Sequence, residues 1–140
     1  MTESVMNDGI EALNVPISIF RDTDGSVAWP HFRSDGTSFN YAGSEYELVI
    51  VDWDGGVVIE RNSVDHASLS VQSITIAELI NGEWVERIVP AVVWEYDQDE
   101  SLTIPLCTKA NYELKRLIAG KRELAAWGTM TGIGGIEVDG

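Results

Sequence analysis

Two aspartate pairs, two histidines and one cysteine are the groups in this 140-residue chain whose types and spacing invite chemistry. In Asp22-Thr23-Asp24-Gly25-Ser26-Val27, alternate side chains offer oxygens as a calcium loop does. The sixth position, however, is Val27 where the sharp turn needs glycine, and the twelfth is Arg33 where a bidentate glutamate is required. Asp52-Trp53-Asp54-Gly55-Gly56-Val57 fails at the same two positions, so both segments read as hairpin turns. His31 and His66 lie far apart, and with Cys107 as the sole cysteine there is no zinc-spaced cluster. Asp65-His66, with Ser63 and Ser68 nearby, holds the ingredients of a proton relay. Neighbouring residues of a strand point to opposite faces, so adjacency in sequence does not make one. Cys107 ends the apolar run from Leu102, where nothing nearby lowers a thiol pKa, and reads as a buried inert thiol. No nucleophile elbow, phosphate-cradling glycine loop or dinucleotide fingerprint is present. Carboxylates that meet only in the fold are the one catalytic route left open. The expectation is a protein that is not an enzyme, with no metal and no cofactor.

What the chain has in quantity is negative charge. Between Glu45 and Glu100 there are thirteen acidic side chains against Arg61 and Arg87, a net of −11 out of −14 for the whole chain. The basic cluster follows, in Lys109, Lys115, Arg116, Lys121 and Arg122. Like charges crowded on a small domain repel one another, and they repel DNA and anionic lipid as well. Direct nucleic-acid binding is therefore not expected. The apolar content of 44% and five tryptophans belong to a packed domain, not to a disordered acidic tail. No run approaches the length of a membrane-spanning helix. The acidic segment Met1–Asn14 lacks the charged and apolar regions of a signal peptide, so the chain is expected to be cytoplasmic when made, with incorporation into a virus particle as the further option.

The elements that must position these groups read as strands. Turn signals recur at Asp22–Gly25, Ser34–Thr37, Ala42–Ser44, Asp52–Gly56, Asn81-Gly82 and Asp97–Ser101. Between them lie short runs rich in Val, Ile and aromatic residues: 16–21, 27–33, 38–41, 46–51, 57–61, 69–76, 84–96 and 102–106. This spacing predicts a mainly β domain, α+β at the margin: an antiparallel meander, sandwich or barrel. Asn81-Gly82 predicts a two-residue hairpin loop that pairs Ile80 with Glu83, Leu79 with Trp84, Ala77 with Glu86 and Thr75 with Ile88. Thr75-Ile-Ala-Glu78 also fits a helical capping box, but that helix would be under two turns and β-branched, and the hairpin is the favoured reading. Pro90 then has to lie at an edge or a bulge, where the ribbon bends.

One C-terminal helix is predicted over about 109–119. Ala110, Leu114, Leu117 and Ile118 recur at helical spacing, Thr108 serves as N-cap and Gly120 as the stop. A strand follows over 122–130, with Leu124, Ala126 and Met130 on one face. The domain spans 15–130. An N-terminal arm or short helix occupies 1–14, and a Gly-rich C-terminal arm occupies 131–140. Trp53, on a loop tip, is either folded back over its hairpin or exposed as a contact anchor. Trp29, Trp84, Trp94 and Trp127 read as core.

Three functions fit. The leading one is a structural subunit of a homo-oligomeric assembly such as a phage or virus particle, in contact with copies of itself and with neighbouring assembly proteins. It rests on a ribbon apolar on both faces, an apolar tail and opposed charge regions. Its expected interface residues are Trp53, Glu83, Glu86, Lys115, Arg116, Lys121, Arg122, Ile133, Ile136 and Val138. The alternative is an acidic inhibitor or immunity protein that occupies the basic groove of a nucleic-acid enzyme. The third is an acidic surface that serves only solubility or a salty milieu.

Overall fold

A computed structural model describes residues 9–106 and 109–134 of the chain. It is mainly β with one short helix. The strands are β1 (Leu13–Asn14), β2 (Ile17–Phe20), β3 (Gly25–Trp29), β4 (Glu45–Val51), β5 (Val57–Asn62), β6 (Leu69–Ile80), β7 (Glu83–Tyr96), β8 (Lys109–Ile118) and β9 (Lys121–Ile133). Helix α1 (Gln98–Thr103) follows β7. A six-stranded sheet runs β1-β9-β8-β4-β5, with β2 also on β9, and a three-stranded sheet runs β3-β7-β6. Pairing is antiparallel except at β9, which β1 and β2 join in parallel.

The core lies where the inner face of the large sheet meets the base of the small one. Leu48 and Ile50 of β4, Tyr112 and Leu114 of β8, and Met130 of β9 pack with Trp29, Leu69, Val92 and Trp94 from the small sheet. The Trp29 and Tyr112 rings stand 5.6 Å apart. The Trp29 indole N–H donates to the Tyr112 hydroxyl, and that hydroxyl donates to the Val15 carbonyl at 2.6 Å. This chain of bonds ties the break between β1 and β2, at Val15-Pro16, to the centre of the protein.

The helix predicted over 109–119 is a strand. On β8, Ala110, Tyr112, Leu114 and Arg116 alternate inward, a period of two instead of 3.6. The stop read at Gly120 is a hairpin turn in which Ala119 and Gly120 have φ of 51° and 77°. The helix found among the described residues is α1, which with its N-cap Asp97 takes in the predicted turn Asp97–Ser101 and the first two residues of the run 102–106 predicted as a strand. Asp97 and Glu100 form a complete capping box: the Asp97 carboxylate accepts from the Glu100 amide, and the Glu100 carboxylate from the Asp97 amide. The same Glu100 carboxylate takes the Arg61 guanidinium.

The predicted faces of β9 also need correcting. Its register against β8 shifts between Leu114 and Lys115, so Ala125 is an extra residue that is buried along with Ala126. That bulge turns Leu124 outward, while Ala126 and Met130 stay in the core. The sheet begins at Leu13 and runs to Ile133, so the domain reaches beyond 15–130 at both ends. Of the predicted N-terminal helix, Val5 and Met6 lie outside the described residues, and Leu13 is on a strand.

Candidate interaction surface

The β6–β7 hairpin has the register predicted for it, Ile80 with Glu83, Leu79 with Trp84, Ala77 with Glu86 and Thr75 with Ile88. Asn81 and Gly82 have φ of 52° and 82°, as a type I′ loop requires. Strand β3 ends at Trp29, opposite Val92, so from Ala91 to the turn the ribbon has two strands only. Pro90 sits on this stretch, opposite Ser73, at a free edge and with no register shift. Counting back from the loop, Ser73 and Pro90 form a non-hydrogen-bonded pair. The missing N–H of Pro90 therefore falls on the side β3 has already left.

One face of the ribbon is core at its base and bare towards its tip. Leu69, Val92 and Trp94 are buried, while Leu79 is 60% exposed, Trp84 73% and Ile88 74%. The pairings set Trp84 against Leu79 and Ile88 against Thr75, with the exposed Ala77–Glu86 pair between them on the same face. Exposed apolar side chains grouped on one face are the kind of feature that contact surfaces use in general. Trp84 and Trp127 were read as core; both are exposed, Trp127 on the outer face of the six-stranded sheet. Trp53 stands exposed at the β4–β5 turn, which resolves its two readings in favour of exposure. The hairpin register predicts a ribbon apolar on both faces. What the sequence did not contain was where β3 stops, and that decides how much of the ribbon is covered.

Of the predicted interface, Glu83 and Glu86 share the tip but face opposite sides of the ribbon, since they are three residues apart on one strand. The basic cluster is taken apart by the fold. Arg116 is 5% exposed, bonded to the Ser44 hydroxyl and to Glu123, each at 2.7 Å, with its guanidinium 4.7 Å from the centre of the Phe39 ring. It is a core residue, not an interface one. Lys115 lies 3.5 Å from Glu113 and opposite Glu47. Arg122 is 3.8 Å from Glu47, and with Lys121 it borders an open concavity of about 370 Å³ that Glu45 also lines. Cations and carboxylates interleave here, so no basic face opposes an acidic one. Ile133 is exposed at the end of β9, beside Phe20. Ile136, Val138 and Cys107 lie outside the described residues.

The groups read for chemistry are occupied by the fold. The Asp52 carboxylate accepts from the amides of Asp54 and Gly56 within its own turn. Hydrogen bonds from the Asp54 carboxyl and the Gly56 amide hold its pKa below the ordinary carboxylate value. Asp24 accepts from the Gln98 amide at the start of α1. His66 accepts from the Asn62 amide, Asp65 bonds the Asn62 side chain, and Ser63 accepts from the Tyr46 amide, so no relay forms among them. Among the described residues no group of three or more His, Cys, Asp or Glu is placed to hold a metal ion.

His31 is buried, with Nδ1 3.2 Å from the Tyr41 hydroxyl and Nε2 2.8 Å from the Ala125 carbonyl. The Tyr41 hydroxyl already accepts from the His31 amide. Its proton is thus directed to Nδ1, which leaves Nε2–H as the donor to Ala125. Burial pushes the His31 pKa below its usual value and the Tyr41 phenol up to about 12. A neutral imidazole and a protonated phenol that bond each other and the backbone are structural partners. Among the described residues no helix is long and apolar enough to cross a membrane. The chain matches no protein-family model and no curated protein.

Proposed function

We propose that this protein is a non-enzymatic structural subunit of a homo-oligomeric assembly, of the kind from which a phage or virus particle is built. The observation that carries the reading is the bare apolar face of the β6–β7 ribbon at Leu79, Trp84 and Ile88. Leaving three large apolar side chains in water forgoes about 1.5–3 kcal/mol for each that a partner would bury. The acidic-inhibitor alternative draws on charge alone, and the geometry lends it little. Glu83 and Glu86 face apart, Glu78 is bound to Arg87 and Glu100 to Arg61, so no ladder of free carboxylates follows the ribbon.

The two readings have opposite salt dependence. Copies of a chain carrying −14 repel, so self-association tightens as salt screens them, whereas capture of a basic groove weakens. Light scattering across protein concentration should show oligomers, with more of them at high salt than at low salt. The double substitution Trp84→Ser with Ile88→Ser should reduce them while the far-ultraviolet circular dichroism stays unchanged. A monomer at every concentration and salt refutes the proposal.

A further inference from the structure

The outer edge of β6 is where a second copy fits. Strand β6 ends the order β3-β7-β6, and among the described residues β7 is its only strand partner. In a two-residue hairpin the residues flanking the loop form a hydrogen-bonded pair, and the pairs then alternate. Ile80, Glu78, Ile76, Ile74 and Gln72 therefore bond inward to β7. Val71, Ser73, Thr75, Ala77 and Leu79 turn their amides and carbonyls outward, where no backbone or side-chain bond is made to them among the described residues. Edges of this length are ordinarily blunted by proline, lysine or a bulge. The free edge of β7 has Pro90 and Arg87. The twelve residues of β6 contain no proline, no lysine or arginine and no register shift.

The sequence of β6 also identifies what lies against it. Around Thr75 the strand is a palindrome of chemical types: Ile74 mirrors Ile76, Ser73 mirrors Ala77, Gln72 mirrors Glu78 and Val71 mirrors Leu79. An antiparallel pair of identical strands related by a two-fold axis at Thr75 brings these mirror residues face to face. β-Branched residues then meet β-branched ones, small meets small and apolar meets apolar, while Gln72, whose side-chain amide already donates to Ser70 and Glu95 of its own copy, meets Glu78. The register also pairs outward-bonding residues with outward-bonding residues, as a ladder requires. Glu78 is the one ionised side chain on β6, and Arg87 of the same ribbon neutralises it. In a chain of net −14, this edge lets two copies meet without setting free carboxylates against each other.

We infer that two copies join antiparallel along β6, centred on Thr75, to form one continuous sheet β3-β7-β6-β6-β7-β3. The inference rests on the homo-oligomer reading and names its contact. In the joined sheet Leu79 of one copy lies beside Val71 of the other. A single apolar row then crosses the junction from the exposed Trp84 to the buried Val92 of the second copy.

The test uses Thr75, whose side chain is exposed on the outer strand of the ribbon. The full chains carrying Thr75→Lys and Thr75→Glu are each studied by sedimentation velocity, alone and mixed at equal amounts. Each alone puts like charges on the two-fold axis and should dimerise at least about tenfold more weakly than the wild type. The mixture should regain the dimer, because lysine then faces glutamate. As a second measurement, Thr75→Cys in a Cys107→Ser background should form a disulfide-linked dimer on mild oxidation, since hydrogen-bonded partners bring Cα atoms within bridging distance. Oligomers of wild-type strength in both charge variants, or no recovery on mixing together with no cross-link in the Thr75→Cys variant, overturn the β6 contact and leave the homo-oligomer reading intact. A wild type that never associates overturns both.

Discussion

Gly128 is the position where one added methyl group should cost most. It lies on β9 opposite Tyr112, with φ of 157°, and a Cβ there would sit 2.5 Å from the Val15 carbonyl oxygen. That oxygen accepts from the Tyr112 hydroxyl, which in turn accepts from Trp29, and the Val15 amide donates to the Trp127 carbonyl at 3.0 Å. Gly128→Ala forces a residue with a side chain into a strained conformation, at about 1–3 kcal/mol. It also pushes Val15 away and strands the Tyr112 hydroxyl among core residues, for about 1–3 kcal/mol more. The expected loss is about 2–6 kcal/mol, a large share of the ~5–15 kcal/mol that holds a domain together. Gly120→Ala is the matched control. Its φ is 77° but no atom lies within 4 Å of the added carbon, so it should cost about 1–2 kcal/mol. Urea titration followed by tryptophan fluorescence separates the two. At a slope of about 2 kcal/mol/M, Gly128→Ala moves the midpoint down by about 2 M and Gly120→Ala by less than about 1 M. Equal shifts for the two variants would refute the close approach of Val15 to β9.

Two further outcomes concern the interior. Burial lowers the His31 pKa below the 6.5 of the unfolded chain, so between the two values the unfolded state binds the extra proton. The stability due to neutral His31 is complete above about pH 6.5 and declines as pH falls below it. His31→Gln should remove that decline, read as the difference in unfolding free energy between about pH 7.5 and about pH 5.5 relative to the wild type, and an unchanged slope contradicts the buried neutral imidazole. Arg116→Met should cost about 2–3 kcal/mol in urea unfolding, below the ~3–5 kcal/mol of a fully buried pair because Glu123 keeps access to water. Lys115→Met, next along β8 but only half-buried on the outer face, should change stability by less than about 0.5 kcal/mol, and equal costs would show that Arg116 is not the internal cation.

The sequence was legible where backbone conformation is dictated locally. Asn81-Gly82 requires positive φ at two successive residues, and that single constraint sets the register of every pair down to Leu69 and Trp94. It was misleading where a polar residue lies inside. On β8 the inward row is Ala110, Tyr112, Leu114 and Arg116, and because an arginine reads as surface, the alternation was hidden behind the helical spacing of Ala110 and Leu114. Arg116 is internal where Glu123, Ser44 and Phe39 converge on it, from segments the sequence does not show to be neighbours. The β9 bulge and the early end of β3 are of the same kind: each is a fact of pairing between distant strands. The capping box of α1 is different. Asp97 and Glu100 carried its signature openly, and the acidic run around them led to a turn being read in its place.

The distribution of charge is compatible with the proposed contact along the β6 edge of so acidic a molecule. A net charge of −14 keeps copies apart at distances up to the ~8 Å over which physiological salt leaves charges unscreened, which suppresses random edge-to-edge aggregation. At contact the local chemistry decides, and along β6 that chemistry is nearly neutral. Beyond β3 the ribbon is covered by its own domain on one face only, where Val89 is buried and Arg87 reaches the Gly36 carbonyl, and its other face stays bare. A second β6 makes each β6 an internal strand and gives Leu79 a neighbour on each side, Trp84 in its own ribbon and Val71 across the junction. In the proposed dimer, charge repulsion and a short-range self-complementary seam would work together: the first would reject misaligned encounters, and the second would stabilise the one register in which Thr75 meets itself.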